Sequence, residues 1–436
     1  MHLHLLDTVG AWIAGTASSE GMQLHRLGMA GAGAPPVFSP SLLDAIALAT
    51  ASTRLTEVDD IHMPSCTTPG AVVLPAALAL AAHTGTPEAA RRLAAGMRVG
   101  YAVMTGLGEA LAGRDILHQG VWPTLLLAPV TTAAVVAVML GLDAARTANA
   151  LAIALTASNG RPGGSASAGV AAGPGTSARW LLLGMAARAG CVAAFSAAQG
   201  FNGDHTLLDG DRLPALHGLA VLPGRIEDVL CDGCAVERTS IKPYCMAKHN
   251  MAVIDAFLHL LDQGIANDAI SRIRVRLPPA HARMVGHYDI ETSRLSRITS
   301  CAYNIALAGL NPRHLLDIER QQPLHSAAMA CLAQKVEVLA DARLQELAPQ
   351  AFPASVELFI GERMVASRTV VDAWGDPARP FDLAATRVKF MRLAEGALDR
   401  GAAETIEALC SRAFDGGAGA QSLWRALNGI FAAQQR

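Results

Sequence analysis

Apolar residues recur with helical spacing through the first half of the chain. From the start to about residue 230 they fall mostly at i, i+3, i+4 and i+7, and no run alternates convincingly with a period of two. The first spacing lines one face of an α-helix, whereas alternation is typical of a strand. Gly- and Pro-rich interruptions lie at residues 31–36, 64–70, 113–123 and 159–175. They divide this half into a series of predicted helices.

The pattern changes near Leu230, after which strands are predicted among the helices. Polar and apolar residues alternate from Ser271 to Pro278 and from Ala354 to Ile360, as in strands with one solvated face. A Gly-Glu turn and residues 364–371 follow the second run, which predicts a hairpin, and residues 335–339 are a further candidate strand. Helical spacing occupies residues 251–262, 300–310 and 324–333.

The two patterns together predict a mainly α protein with a small inserted part. Residues 1–231 are expected to form a large all-helical domain, and residues 232–386 a smaller α+β domain. The pattern is helical again from Asp382 onward, so the C-terminal helices, residues 387–436, are expected to return to the helical domain. A chain of 436 residues is long enough for two or three domains.

The composition is that of a protein with a large buried core. Hydrophobic residues make up 51% of the chain and charged residues only 17%, and the mean hydropathy is +0.30. The formal net charge is −2, and no basic cluster interleaved with aromatic residues occurs. Nucleic acid is therefore not an expected partner.

The sequence also predicts no contact with a membrane. The longest apolar run, Leu125–Leu142, contains Pro129 and two threonines and falls short of the ~20 residues that span a bilayer. It is predicted to be a buried helix. The first residues lack the cationic lead of a signal peptide. A cytoplasmic protein is therefore expected.

The cysteines favour reduced core thiols over a metal site. Cys231 and Cys234 form one Cys-x-x-Cys pair, but a structural zinc site needs a second pair of ligands. Cys245 and His249 are the alternative that would complete such a site. Most of the eight cysteines lie in apolar surroundings, as buried free thiols do.

Reactive side chains are concentrated in one short segment, Asp59–Gly70, which we call the polar loop. It holds two carboxylates, an imidazole, hydroxyl groups and a thiol. Pro64 and Pro69 keep its centre from continuing the helices predicted on either side, because proline lacks the amide that a helix needs. A polar loop held between buried helices is a usual place for functional residues.

A helix cap is the simpler interpretation of the same residues. Thr67 or Thr68, just before a proline, is a typical N-cap of the helix that follows. A cap needs one such residue, however, and does not account for Asp59, Asp60 and His62 together. The polar loop is therefore a candidate active-site element.

A glycine-rich stretch at residues 159–169 does not fit a nucleotide-binding loop. A predicted helix precedes it and it contains no Lys, whereas phosphate loops follow a strand and carry Gly-Lys-Ser/Thr or Gly-x-Gly-x-x-Gly. A plain connector, or a segment whose backbone approaches a ligand, is predicted instead. Arg161 within it is a candidate clamp for a carboxylate.

The polar loop resembles a motif of the MmgE/PrpD family, whose usual form is Asp-Asp-Thr-His followed by His-Pro-Gly or His-Pro-Ser. Asp59-Asp60 and His62 match the first part, and Pro69-Gly70 match the second. Ile61 stands where Thr is usual, and Thr68 stands where the second His is usual.

Further motifs similar to those of the family follow in order along the chain. Residues 120–124 resemble Gly-Phe-His-Pro-Thr, with Trp122 in place of the His. A later stretch resembles Gly-Thr-x-Thr-Lys-Arg-Leu-His, with Arg179 in place of the Lys. Lys242-Pro243-Tyr244 matches Lys-Pro-Tyr, and Lys248 takes an Arg position after it.

The resemblance implies a helical domain built from both termini, a smaller α+β lid domain, no cofactor and a homodimer. The family includes 2-methylcitrate dehydratase, cis-aconitate decarboxylase and iminodisuccinate epimerase, so a small di- or tricarboxylate is the implied substrate. Several family histidines and a lysine are replaced here, which favours the epimerase. A lyase of the same family and an inactive carboxylate-binding homologue are the alternatives.

The family reactions share the removal of a proton, or the loss of a carboxylate, next to a carboxylate. They require an acid–base set and fixed cations. The candidates for the acid–base set are Asp60, His62, Lys242 and Tyr303. The candidates for substrate binding are Thr68, Trp122, Thr124, Arg161, Arg179 and Lys248. Packing is the alternative interpretation of Tyr303 and Trp122.

Overall fold

The computed structural model describes residues 1–28, 41–84, 86–162, 178–208, 212–222, 235–288, 293–320, 326–347 and 350–433. By its internal contacts the chain divides into two compact units. Unit 1 comprises Met1–Gly163, Ser177–Thr239 and Asp382–Arg436. The described residues of unit 2 lie within Ser240–Phe381. The two ends of the chain therefore fold together in unit 1.

The structure is 62% helical with a small four-stranded sheet, which confirms the predicted mainly α fold with a small α+β part. The helices of the first part of the chain are α1 His2–Ala17, α2 Ser19–Gly28, α3 Leu42–Arg54, α4 Pro69–Thr84, α5 Pro87–Ala110, α6 Gly113–His118, α7 Pro123–Leu140, α8 Ala144–Thr156, α9 Ala178–Ala198 and α10 Arg212–His217. Those of unit 2 are α11 Met251–Leu261, α12 Pro279–Val285, α13 Arg294–Thr299, α14 Cys301–Leu310 and α15 Ala327–Gln334. Unit 1 resumes with α16 Leu383–Ala394, α17 Arg400–Arg412 and α18 Gly417–Ala433.

Helix α7 lies in the core of unit 1. It packs against α5, α8 and α9, and 89% of its residues are buried. A helix that is apolar on every side is stable in water only when it is enclosed. The predicted buried helix at residues 125–142 is therefore confirmed. Both α7 and α9 are long and apolar enough to cross a bilayer, and 44% of the apolar stretch of α9 is buried. The burial of α7 is that of a core helix in a soluble protein.

Unit 2 is built on a sheet of strand order β2-β1-β3-β4. The central strand β1, Arg272–Leu277, pairs in parallel with β2, Val336–Ala340, and antiparallel with β3, Ala354–Ile360. The edge strand β4, Arg363–Val370, completes the hairpin. The apolar residues of β1 are fully buried and its arginines are partly solvated, so the predicted alternation, strands and hairpin are confirmed.

The helices predicted between the strands are also present. Helices α11 and α14 match the predicted ranges 251–262 and 300–310. The third, α15, begins at Ala327, and residues 324 and 325 of the predicted range lie outside the described residues. Helix α11 packs against β3 and β4, which places its apolar face on the buried side of the sheet.

One predicted interruption, residues 113–123, contains a short helix, α6. Its first residue, Gly113, lies against the backbone of the polar loop. A Cβ at this position would lie 1.9 Å from the carbonyl oxygen of Ser65. Glycine is the residue that permits this approach of two backbones. Gly120, with φ 79°, then turns the chain into α7. The glycines that predicted a break therefore lie at the two ends of a short helix: Gly113 permits a close backbone contact and Gly120 makes a turn.

Candidate active site

The polar loop lies between α3 and α4 in unit 1 and is enclosed. His62 and Thr67 pair through two backbone hydrogen bonds, of 2.8 and 3.3 Å, which close the loop on itself. Cys66 takes the left-handed conformation, with φ 53°, to make this turn. Asp59, Asp60 and His62 have no exposed surface. The carboxylates and the imidazole of the polar loop therefore lie inside the protein.

Asp60 is held by donors from three helices. Its carboxylate accepts hydrogen bonds from His4 Nδ1 at 3.0 Å, from the Gly70 amide at 2.8 Å and from the Tyr101 hydroxyl. Burial and the nearby Asp60 raise the pKa of Tyr101 well above its usual value, so the phenol remains a donor. Gly70 lies in the first turn of α4, whose free amides attract a carboxylate. These contacts suit a structural anchor better than a group that exchanges protons.

The helix cap of this segment comes from Asp60, and not from Thr67 or Thr68. Asp60 supplies it from ten positions before Gly70. Thr68 instead contacts Thr124, at the start of α7: its amide donates to Thr124 Oγ1 at 3.1 Å, and the two hydroxyl oxygens are 3.4 Å apart. Two of the predicted binding residues therefore adjoin each other.

His62 is the middle of a chain of polar contacts. Its Nδ1 lies 2.9 Å from Ser65 Oγ, which lies 2.7 Å from Thr67 Oγ1. Its Nε2 lies 3.7 Å from Glu109 Oε1, and Arg238 donates to the same oxygen at 3.2 Å. Ser65 fixes the orientation of the ring, and the carboxylate stabilises the charge that the ring gains with a proton. The arrangement suits an imidazole that accepts and releases protons.

Arg54 and Asp59 form a buried ion pair at the start of the polar loop. Arg54 Nη1 lies 3.2 Å from Asp59 Oδ1 and 2.9 Å from Glu57 Oε2. Burial lowers the pKa of the guanidinium, but the two carboxylates outweigh that effect and the pKa lies above its usual value. Arg54 is therefore a permanent cation beside the loop.

Trp122, Trp180 and a second arginine, Arg179, pack around Arg54. The Arg54 guanidinium carbon lies 5.4 Å from the ring centres of both Trp122 and Trp180, and that of Arg179 lies 4.6 and 4.7 Å from them. All four side chains are buried. Arginine stacks on aromatic faces and binds carboxylates in pairs of hydrogen bonds. The stacked guanidinium groups present positive charge beside an apolar wall, and Asp59 and Glu57 balance the charge of Arg54.

The sequence predicted two of these four residues, Trp122 and Arg179, and missed Arg54 and Trp180. Arg54 had a usable signal, since it ends a helix five residues before Asp59. Arg161, the remaining predicted clamp in unit 1, is exposed and donates to the Gln119 carbonyl at 3.0 Å. The structure shows no contact between Arg161 and the tryptophans among the described residues.

In unit 2, Lys242 and Tyr303 are both buried, with 2% and 1% of their surfaces exposed. The Ile241 amide donates to the Gly375 carbonyl at 3.0 Å, which fixes the backbone beside Lys242. Burial raises the pKa of Tyr303, and Arg320 opposes this only in part. Tyr303 is therefore a neutral proton donor at ordinary pH.

Lys248, predicted to bind substrate, forms a buried ion pair with Asp376. The second oxygen of Asp376 accepts the Ala373 amide at 2.9 Å. The charge of Lys248 is thus balanced within unit 2, and its contact ties the segment after Lys242 to the loop before α16. This setting suits a structural role.

Arg320 is a residue of this region that sequence reasoning missed. It is fully buried and donates to the carbonyls of Asp317 at 3.0 Å, Cys245 at 2.5 Å and Leu315 at 3.1 Å. It therefore fixes the Lys-Pro-Tyr-Cys segment from a distance of 75 residues along the chain. No local pattern distinguishes it from a surface arginine.

Replacing Gly375 with alanine should disturb the backbone next to Lys242. A Cβ there would lie 2.0 Å from the Ile241 carbonyl oxygen, at φ 92°. Gly264, with φ 88° and no atom within 4 Å of its Cβ position, is the matched control. Gly264→Ala should cost about 1–2 kcal/mol from strain alone, and Gly375→Ala clearly more, by urea unfolding. Equal costs would contradict the close contact.

No group of three or more His, Cys, Asp or Glu that could hold a metal ion occurs in the part of the chain that the structure describes. Cys231 and Cys234 lie outside that part, as does the glycine-rich stretch from Gly163 onward. Of their two predicted companions, Cys245 is buried, and His249 packs against His281 and Phe352 with ring centres 4.5 and 4.8 Å away.

Comparison with known families gives two matches in chain order. A model of the MmgE/PrpD N-terminal domain matches residues 1–215, and a model of the MmgE/PrpD C-terminal domain matches residues 244–413. Together they cover most of the chain. No curated protein matches it.

Proposed function

This chain belongs to the MmgE/PrpD family, and from that premise we propose that it removes a proton next to a carboxylate of a small di- or tricarboxylate, without a cofactor. Members of the family are generally enzymes, among them dehydratases, decarboxylases and epimerases. The specific reaction that we propose is the epimerisation of iminodisuccinate. A cytoplasmic homodimer is part of the same proposal.

The observation that carries the proposal is the setting of His62. The ring is fixed by Ser65 on one nitrogen and faces Glu109 on the other. A general base needs a fixed orientation and a way to stabilise the charge that it acquires. His62 has both, whereas the carboxylate of Asp60 already accepts three hydrogen bonds. We therefore assign proton transfer to His62 and a structural role to Asp60.

The cations of the polar-loop region support the same chemistry. Removing a proton next to a carboxylate leaves an enediolate-like anion, which fixed positive charge must stabilise. Arg54 and Arg179 supply two buried guanidinium groups at the Asp59 end of the loop. An epimerase also needs an acid for the opposite face of the carbon, and Lys242 and Tyr303 are the residues that the sequence offers for that role.

A lyase of the same family is the second candidate. Elimination of water requires a neutral acid that protonates the departing hydroxyl group. Tyr303 is a buried phenol and is the neutral acid that the chain offers for this step, which favours the lyase, although burial raises its pKa and makes it a weaker acid than a free phenol. An inactive homologue that only binds a carboxylate is the third reading.

Product analysis separates these reactions. The purified protein is incubated with single stereoisomers of iminodisuccinate and of other small dicarboxylates in deuterium oxide, and the products are examined by chiral chromatography and mass spectrometry. The proposal predicts the epimer that is inverted at one α-carbon, with one deuterium at that carbon. A rise in unsaturated-acid absorbance, or released carbon dioxide, would instead identify a lyase. Ligand-dependent thermal stabilisation without turnover would identify an inactive homologue.

A further inference from the structure

A buried lysine near the end of the chain contacts the backbone that leads into the polar loop. Lys389 lies on α16 with 3% of its surface exposed. Its ammonium group donates to the Val58 carbonyl at 2.8 Å and to the carboxylate of Asp7 on α1. Val58 immediately precedes Asp59. One side chain therefore joins the first helix, the loop and a C-terminal helix.

Lys389 also balances the negative charge of the Asp7 carboxylate. Asp7 is fully buried, and burial raises the pKa of its carboxyl, while Lys389 lowers it and the neighbouring Asp60 raises it further. Asp60 in turn is held by His4 and Tyr101. The groups that face Lys389 and Asp7 are thus a second carboxylate, an imidazole and a phenol. A buried carboxylate without a cation costs several kcal/mol.

We propose that Lys389 is a positioning residue for the proposed proton transfer: its bond to the Val58 carbonyl sets the backbone at the start of the polar loop, and with it the place of His62. Asp60 anchors the loop through its side chain, which accepts hydrogen bonds from α1, α4 and α5. Lys389, on α16, anchors it through a hydrogen bond to the main chain at Val58. Neither anchor touches substrate in this assignment.

The catalytic consequence rests on the proposed function, but the position of the loop can be measured without it. Cys66 lies in the loop with 8% of its surface exposed, so its alkylation reports whether the loop is held closed. Cys331 is exposed and serves as an internal reference in the same sample. Peptide mass spectrometry after a timed reaction with iodoacetamide gives both rates.

Two variants separate positioning from charge balance. Lys389→Met removes the donor to Val58 and leaves Asp7 without its cation. Adding Asp7→Asn removes the buried charge but does not restore the donor to Val58. Arg92→Met is the matched control, because Arg92 likewise joins a carboxylate, Glu88, to a main-chain carbonyl, that of Met139, away from the loop.

The proposal predicts that the double variant regains most of the thermal stability lost in Lys389→Met, yet keeps Cys66 alkylation at least tenfold faster than the wild type. Its kcat for α-proton exchange should also stay at least tenfold low, and Arg92→Met should change neither rate. Wild-type alkylation of Cys66 in the double variant would overturn the proposal, since Lys389 would then act through charge alone. Absence of exchange in the wild type would reject the proposed function and leave the alkylation result valid.

Discussion

Replacing His62 with asparagine is expected to lower the rate of α-proton exchange by about 10²–10⁴-fold, the usual contribution of a general base. Asparagine keeps a polar atom near the position of Nδ1, so that the contact with Ser65 at 2.9 Å can persist. It has no group that takes up a proton at neutral pH. The loss should therefore appear in kcat, with little change in unfolding temperature, and deuterium uptake measured by mass spectrometry gives the rate.

Two neighbouring variants serve as graded controls for this result. Ser65→Ala frees the imidazole ring to rotate, and Glu109→Gln removes the charge that faces Nε2 at 3.7 Å. Each should lower kcat by less than His62→Asn, because each leaves the base itself in place. An exchange rate for His62→Asn within a factor of two of the wild type would remove His62 from the reaction.

Replacing Lys248 with methionine is expected to destabilise the fold by about 3–5 kcal/mol, the usual cost of leaving one member of a buried ion pair without its partner. The side chains of Lys248 and Asp376 are only 2% and 1% exposed. Solvent therefore cannot replace the lost lysine in stabilising the charge of the Asp376 carboxylate. Urea unfolding followed by circular dichroism measures the change.

The double variant Lys248→Met with Asp376→Asn is the control for that prediction. It should recover most of the lost stability, because no charge is then buried without a partner. A loss below about 1 kcal/mol in the single variant would be typical of an exposed pair. In that case Lys248 would be released from the ion pair and would return as a candidate substrate ligand.

The elements with strong local patterns could be predicted from the sequence. The arginines of β1 alternate with Ile273, Val275 and Leu277, and only a strand places these on opposite faces. Helix α7 is apolar on every side, so it had to be enclosed. The short helix α6 was missed because the contact that requires Gly113 is with Ser65, which lies far away in sequence.

The candidate site was predictable only as a set of residue types. The polar loop stood out because polar groups are dense between apolar helices, and Trp122 and Arg179 came from the family resemblance. The partners of Asp60 lie 56 and 41 residues away, at His4 and Tyr101, and Lys389 lies 331 residues from Val58. No local spacing encodes such contacts, so the division between anchoring and reactive groups had to come from the structure.

The central claim is that this protein removes and returns a proton next to a carboxylate, and proton NMR in deuterium oxide tests it most directly. A panel of small polycarboxylates that includes iminodisuccinate is incubated with a catalytic amount of the purified wild-type protein. The α-proton signal of at least one acid should disappear many times faster than in buffer, without any cofactor added. If every signal in the panel decays at the buffer rate, the claim is contradicted.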